Sequence, residues 1–189
     1  MSRQRSFDLA VFAALSAVML VTRTHSLSEV VHLPDTSLAS FFAAGYYIRT
    51  RAAFPAMFAL GFAIDLVMIR LLGTPDFCFT LAYAMLVPAY GVMWAAGRWA
   101  HGRLAPRPAA LPALLATVCR ASLAAEIIAS GGFYAFSGRF ADPTLAGFSV
   151  RLLHYYPYTL LAALTWTGAA IASHVTVLQL RPMLRAGAR

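Results

Sequence analysis

Long apolar runs, separated by short polar connections, restrict the fold of this chain more than any other feature. Of its 189 residues, 60% are hydrophobic and 12% are charged, whereas soluble domains carry about 25% charged residues. Runs approaching ~20 apolar residues span a bilayer as helices, so we predict an all-α integral membrane protein with one transmembrane domain over residues 1–189. The predicted transmembrane helices cover residues 7–21, 38–48, 53–72, 78–97, 109–130 and 152–180.

The arginines indicate how these helices are threaded through the membrane. The net charge of +8 comes from 15 arginines without any lysine, and most of them fall in connections between apolar runs. Arginine in such connections is typical of the cytoplasmic side, so the basic charge does not indicate a nucleic-acid partner. The run 38–48 is short for a span, yet the basic clusters share one side only if it crosses. The clusters are Arg3 and Arg5, Arg49 and Arg51, Arg98, Arg103 and Arg107, and Arg181, Arg185 and Arg189.

This charge distribution predicts six transmembrane helices with both termini in the cytoplasm. The connections 23–37, 73–77 and 131–151 then lie on the outer side, and they are rich in aromatic, histidine, aspartate and glycine residues. Side chains suited to ligand contact are therefore expected at the outer mouth of the bundle.

The first apolar run carries small residues along one side. It resembles a signal peptide, but no small-x-small cleavage site follows it, so we predict an uncleaved first span. Small side chains at helical spacing let another helix approach closely. The pattern fits either a docking face for a partner protein or a seam packed within the bundle. The stripe consists of Ala10, Ala13, Ala14 and Ala17.

A polar break at 73–78 divides the third run from the fourth and contains one of the two cysteines. Thr74 is the predicted N-cap of the fourth helix, Pro75 its first residue, and Asp76 a favourable negative charge in its first turn. Cys78 then lies at a helix N-terminus, where the helix dipole favours the thiolate. The alternative interpretation is that Cys78 fills a gap between helices.

Cys78 and Cys119 are not predicted to form a disulfide. Cys119 lies about 11 residues, or ~16 Å, below the outer end of its predicted helix, while Cys78 lies at the outer boundary. A disulfide needs Cα atoms within ~7 Å of each other. We therefore expect Cys78 to be a free thiol and Cys119 to be a packing residue.

Ionisable residues inside apolar runs are costly in lipid and mark cavities or partners. Asp65 is predicted either to contact a ligand or to form an ion pair or hydrogen bond with Arg120. Arg120 is itself expected to be a buried structural partner. Glu126 lies on a different side of the same helix from Arg120, so the two are not expected to pair. Glu126 fits either a structural or a functional role.

Residues near the outer boundary provide further candidates. Tyr83 lies close in depth to Cys78 and either packs or contacts a ligand. Arg151 opens the last span and suits an anionic or amide-bearing ligand, but the tyrosines after it are equally typical of an interfacial belt. His25 and His32 have no partner at a metal-ligand spacing, so we expect solvated loop residues.

Common catalytic motifs are absent from the sequence. It contains no Walker A loop and no H-E-x-x-H, C-x-x-C or G-x-S-x-G pattern. The chain is therefore not expected to hydrolyse ATP by the Walker A route.

Six short helices, the alanine stripe and candidate residues in three outer loops together resemble the substrate-binding components of energy-coupling-factor vitamin transporters. Those proteins dock through an Ala-x-x-x-Ala pattern, which Ala10/Ala14 and Ala13/Ala17 fit. A second set of residues more specifically resembles the BtuM family of solitary vitamin B12 transporters of Gram-negative bacteria. That set is Asp65, Gly73-Thr74-Pro75-Asp76-Phe77-Cys78, Tyr83 and Arg151.

This resemblance implies that Cys78 is the catalytic thiolate and binds the cobalt of cobalamin from below the corrin ring, while Asp65, Tyr83 and Arg151 line the cavity. It also implies thiolate-assisted removal of the cyano ligand with reduction of cobalt, in a multi-pass protein of the bacterial inner membrane. An energy-coupling ATPase module is an open partner. The alternatives are a substrate-binding component for another vitamin and a scaffold protein that docks a partner helix through the alanine stripe.

Overall fold

A computed structural model of the chain describes residues 3–24, 34–73, 75–76, 79–104 and 108–186. Within these residues the chain is helical and contains no strand, which confirms the predicted all-α class. The α-helices are α1 (Arg3–Arg23), α2 (Ser37–Tyr47), α3 (Ala53–Leu71), α4 (Leu86–Arg103), α5 (Leu111–Phe136) and α6 (Leu145–Ala186). Short 3₁₀ helices, Leu81–Met85 and Pro108–Ala110, precede α4 and α5.

Four helices of the described chain are long and apolar enough to cross a membrane. They are α1 over residues 4–23, α3, α5, and α6 over residues 145–177. These helices indicate a multi-pass membrane protein. With 42 residues, α6 is ~63 Å long at 1.5 Å per residue, about twice the hydrocarbon thickness. It therefore extends beyond the predicted span at both ends.

The second helix is short but its two ends lie against opposite ends of α1. It has 11 residues, which gives ~16 Å of helix, about half of the hydrocarbon core. The hydroxyl of Thr36 lies 3.0 Å from that of Thr22, and the backbone N–H of Arg49 donates to Asp8 at 3.3 Å. The segment 36–49 therefore runs antiparallel to α1 along most of its length.

Most of α2 is buried, and α4 packs against it in direct backbone contact. A Cβ atom on Gly45 would collide with the carbonyl oxygen of Trp94, and one on Gly97 with the carbonyl oxygen of Phe42. Only glycine permits so close an approach of two helix backbones. The core around this contact includes Met19, Phe41, Met57, Tyr90, Met93 and Val118.

Basic residues gather at one end of the bundle. Arg98 donates to the carbonyl oxygens of Ile48 and Arg49 at 3.3 and 3.2 Å. Because Arg49 also contacts Asp8, the start of α1, the end of α2 and the last turns of α4 meet here. We call this the basic end, defined by Asp8, Arg49 and Arg98.

The fourth helix begins later than the sequence predicts. Pro75 is not helical and so is not the first residue of a helix. The observed cap is Thr80, whose hydroxyl accepts the backbone N–H of Ala82 at 3.3 Å and starts the 3₁₀ helix. Thr74 and Cys78 lie outside the described residues.

The chain geometry around residue 76 explains this difference. Gly73, just after the end of α3, adopts a left-handed φ of 68°, which does not continue a helix. The carbonyl of Asp76 then accepts the N–H of Phe79 at 2.8 Å, but residue 76 itself is not helical, so its charge does not lie in a first helical turn. Pro88 has no N–H to donate to the carbonyl of Ala84. Regular α-helix therefore starts only in the turn that contains this proline.

Candidate ligand-binding site

Arg23, at the end of α1, and Asp65, in α3, form a two-pronged ion pair. The Nε–Oδ1 distance is 2.9 Å and the Nη2–Oδ2 distance is 2.6 Å. The side chains are only 12% and 21% exposed, and parallel N–H···O bonds of this kind are the strongest arginine–carboxylate geometry. The predicted alternative partner of Asp65 was wrong, because α3 packs against α1 and Arg120 lies exposed on α5. The expectation that Arg120 is buried was also wrong.

Further hydrogen bonds extend from this ion pair to α2 and α4. The hydroxyl of Tyr83 donates to Asp65 Oδ2 at 2.8 Å. Arg23 Nη1 donates to the hydroxyls of Ser37 at 2.9 Å and Tyr90 at 3.2 Å. Arg23 thus uses four of its five N–H donors. We call Arg23, Ser37, Asp65, Tyr83 and Tyr90 the Arg23 network.

Aromatic rings cover one side of the network. Phe62 and Phe79 have ring centroids 5.6 Å apart, and Tyr83 lies 5.8 Å from Phe62 and 4.9 Å from Phe79. Phe79 is the neighbour of Cys78 in the chain. The ring of Phe79 therefore lies beside Tyr83, whose hydroxyl donates to Asp65, while Cys78 itself lies outside the described residues.

Arg151 makes its contacts elsewhere. Its Nε donates to the hydroxyl of Ser130 at 3.3 Å. Its guanidinium carbon lies 5.6, 5.4 and 4.6 Å from the ring centroids of Phe133, Phe140 and Tyr155, within the range of cation–π attraction. Of the predicted site residues, the structure joins Asp65 to Tyr83 and places Arg151 in an aromatic cage between α5 and α6.

A cavity of about 190 Å³ lies next to the Arg23 network, between α2, α4, α5 and α6. Tyr90 belongs to both the network and the cavity wall. Thr159 donates its hydroxyl to Glu126 Oε2 at 2.9 Å, and Asp35 lines the wall near the start of α2. The apolar lining consists of Leu38, Leu86, Ala89, Ala125, Ala129 and Ala162.

Sequence reasoning missed Arg23 and Tyr90. Arg23 ends the first apolar run at the side away from the basic clusters, and Asp65 lies in the corresponding half of the third run. Two opposite charges at matching depth in neighbouring spans are a signal that could have paired them. Tyr90 carries no comparable signal, because an isolated tyrosine in an apolar run most often packs.

The alanine stripe lies on the surface of the bundle. Ala10, Ala13, Ala14 and Ala17 are all exposed in the structure. The alternative of a seam packed within the bundle is therefore wrong. The neighbouring residue Met19, on the other side of α1, is fully buried.

No group of three histidine, cysteine, aspartate or glutamate side chains suited to a metal ion occurs in the described part of the chain. The thiol of Cys119 is free, as expected, and half-buried in α5. His25 and His32 lie outside the described residues, so the expectation for them stays a prediction.

The chain matches no model of a known protein family and gives no significant match to a curated protein.

Proposed function

We propose that this protein binds cobalamin at the outer face of the bacterial inner membrane and carries it across, with Cys78 as the cobalt ligand. The observation that carries the proposal is the 2.8 Å hydrogen bond between Tyr83 and Asp65. These residues are 18 apart in the chain, and both belong to the set that resembles the BtuM family. They meet beside the ring of Phe79, the residue that follows Cys78 in the sequence.

The surroundings of this pair suit the proposed chemistry. A thiolate is a soft ligand appropriate to a cobalt centre, so under this proposal Cys78 would hold the cobalt and favour departure of the cyano ligand as cyanide. Arg23 neutralises Asp65 through the ion pair, which removes a negative charge that would oppose a nearby thiolate. The rings of Phe62 and Phe79 offer an apolar surface next to the corrin.

The proposal includes six crossings, with both termini in the cytoplasm. The antiparallel course of segment 36–49 along α1 supports a crossing at α2. The convergence of Arg49 and Arg98 supports a cytoplasmic basic end, because basic residues concentrate on that side. The Arg23 network then lies toward the outer side.

Cobalamin binding under this proposal requires the site to widen. The cavity of about 190 Å³ is smaller than ligand pockets for drug-sized molecules, which are ~300–1,000 Å³. It would hold a part of the ligand, and the remainder would need the helices around the cavity to move apart.

The exposed alanine stripe supports a docking role for α1. Its four small side chains leave a surface on which a partner helix can approach closely. An energy-coupling ATPase module is the partner that the resemblance implies. Lipid covers this surface in the absence of such a partner.

The visible spectrum of the purified protein with cobalamin tests the role of Cys78. We expect the wild type to shift the corrin bands through thiolate ligation of cobalt, and Cys78→Ser to lose that shift and to bind more weakly. Cys119→Ala is the matched control, because it removes the other thiol of the chain and should leave the shift intact.

A Cys78→Ser variant with the wild-type spectrum would eliminate cobalt ligation by this residue. Wild-type protein that binds no cobalamin, but gains thermal stability with another vitamin, would instead favour a substrate-binding component of different specificity.

A further inference from the structure

The polar groups that line the cavity beside the Arg23 network are mainly hydrogen-bond acceptors. Its polar lining among the described residues is Asp35, Tyr90, Glu126 and Thr159, with no lysine, arginine, histidine, asparagine or glutamine. The hydroxyl of Thr159 already donates to Glu126, and the hydroxyl of Tyr90 accepts from Arg23. With two carboxylates among its four polar residues, the cavity suits a ligand group that supplies hydrogen-bond donors better than one that supplies acceptors.

The two carboxylates of the cavity differ in how many partners they have. Asp35 accepts both the backbone N–H and the hydroxyl of Ser37, at 3.2 and 2.8 Å, and so supports the start of α2. In the described part of the chain, the hydrogen bond that Glu126 receives comes from Thr159. A carboxylate has about four acceptor positions, and a carboxylate inside a membrane helix without a cation is costly. Glu126, which lies on α5 inside the bundle and accepts one hydrogen bond in the described part of the chain, therefore has acceptor capacity left for a ligand.

The size and wall of the cavity define the group that fits. Its volume of about 190 Å³ corresponds to about six waters at ~30 Å³ each, enough for a side arm of a few heavy atoms. Alanines at 125, 129 and 162 and Leu38 and Leu86 provide an apolar passage. A short methylene stem that ends in an N–H donor matches this combination.

We infer that Glu126 recognises one primary carboxamide arm of the corrin ring, which enters the cavity and donates its N–H group to the carboxylate. The inference rests on the proposed function, since the arm belongs to the cobalamin bound there. An arm that ended in a carboxylate would face Glu126 with like charge and would be rejected. Glu126 is thus a specificity-determining residue for the amide periphery of the ligand.

The experiment compares cobalamin with its derivatives in which a single amide arm has been hydrolysed to a carboxylate. Affinities are measured with the full-length chain in lipid nanodiscs. One isomer should bind the wild type roughly tenfold or more weakly, because hydrogen bonds to charged groups contribute about that much or more. Glu126→Gln should restore binding of that isomer, since the glutamine amide N–H can donate to the carboxylate of the ligand. The same variant should bind cobalamin itself more weakly.

A matched control is Asp142→Asn, which removes one carboxylate from an exposed connection and should change none of the affinities. The inference is overturned if all isomers bind the wild type equally, a comparison that needs no substitution. It is also overturned if Glu126→Gln fails to restore the weak isomer. In both cases cobalamin binding stands, whereas a wild type that binds no cobalamin refutes the proposed function and this inference together.

Discussion

Removing the charge of Asp65 should destabilise the protein strongly, because Arg23 stays behind in a buried position. Arg23 is 12% exposed and directs two short N–H···O bonds to this carboxylate. Loss of one partner of a buried ion pair costs ~3–5 kcal/mol. An asparagine side chain at this position would keep one acceptor for the guanidinium, so we expect Asp65→Asn to lower the free energy of unfolding by about 3 kcal/mol.

A double-mutant cycle separates the interaction energy of this ion pair from the other effects of each substitution. Arg23→Met leaves Asp65 with the hydroxyl of Tyr83 as its observed partner and should also destabilise. The double variant removes both charges, and apolar replacements of buried pairs are often tolerated. We expect a coupling energy of about 2 kcal/mol or more between the two substitutions.

The assay is equilibrium unfolding in detergent micelles, followed by circular dichroism and by tryptophan fluorescence. Coincident transitions from the two probes establish that one free energy describes the process. Additivity of the two single effects within ~0.5 kcal/mol would show that the charges are independent. That result would refute the argument that Arg23 and Asp65 stabilise the protein as a pair.

Two further predictions concern packing and topology. Gly97→Ala places a Cβ atom against the carbonyl oxygen of Phe42 and should lower the free energy of unfolding by about 2–3 kcal/mol. Gly102→Ala meets open space and should raise it by ~0.5–1 kcal/mol. Equal shifts of the two variants in thermal unfolding would contradict the close backbone contact between α2 and α4. In cells that carry a variant lacking the other thiol, a membrane-impermeant reagent should label Cys78 from outside, and labelling only after permeabilisation would reverse the proposed topology.

The sequence predicted the helical class well, because a long apolar run in lipid must satisfy its backbone hydrogen bonds within itself and does so as a helix. It placed α1 and α3 close to their observed bounds. It singled out Asp65 because an ionisable side chain is costly inside an apolar run, and Tyr83 because it lies near the predicted outer boundary. The predicted start of α4 was wrong, because Pro75 is not helical and the observed cap is Thr80. The sequence signal around Thr74 and Pro75 is local, whereas the start of regular α-helix also depends on Pro88, which cannot donate a backbone hydrogen bond.

The partner of Asp65 could not be predicted from local pattern. Arg23 is 42 residues away in the chain, and whether it or Arg120 meets Asp65 depends on how each helix is rotated about its axis. Periodicity does not fix that rotation when apolar residues surround the helix. The cavity at Glu126 could not be predicted either, because residues of four helices line it, with alanines on three of them, and no single segment encodes it.

Because the backbones of α2 and α4 are in direct contact at Gly45 and at Gly97, we expect the two helices to move as one rigid unit. Neither helix can slide or turn against the other without driving main-chain atoms together. We therefore expect the space between them and α5 to enlarge by movement of α5, whose alanines at 125 and 129 line the cavity with small side chains. A bulky ligand would then enter when the α5–α6 hairpin rotates away from the α2–α4 pair.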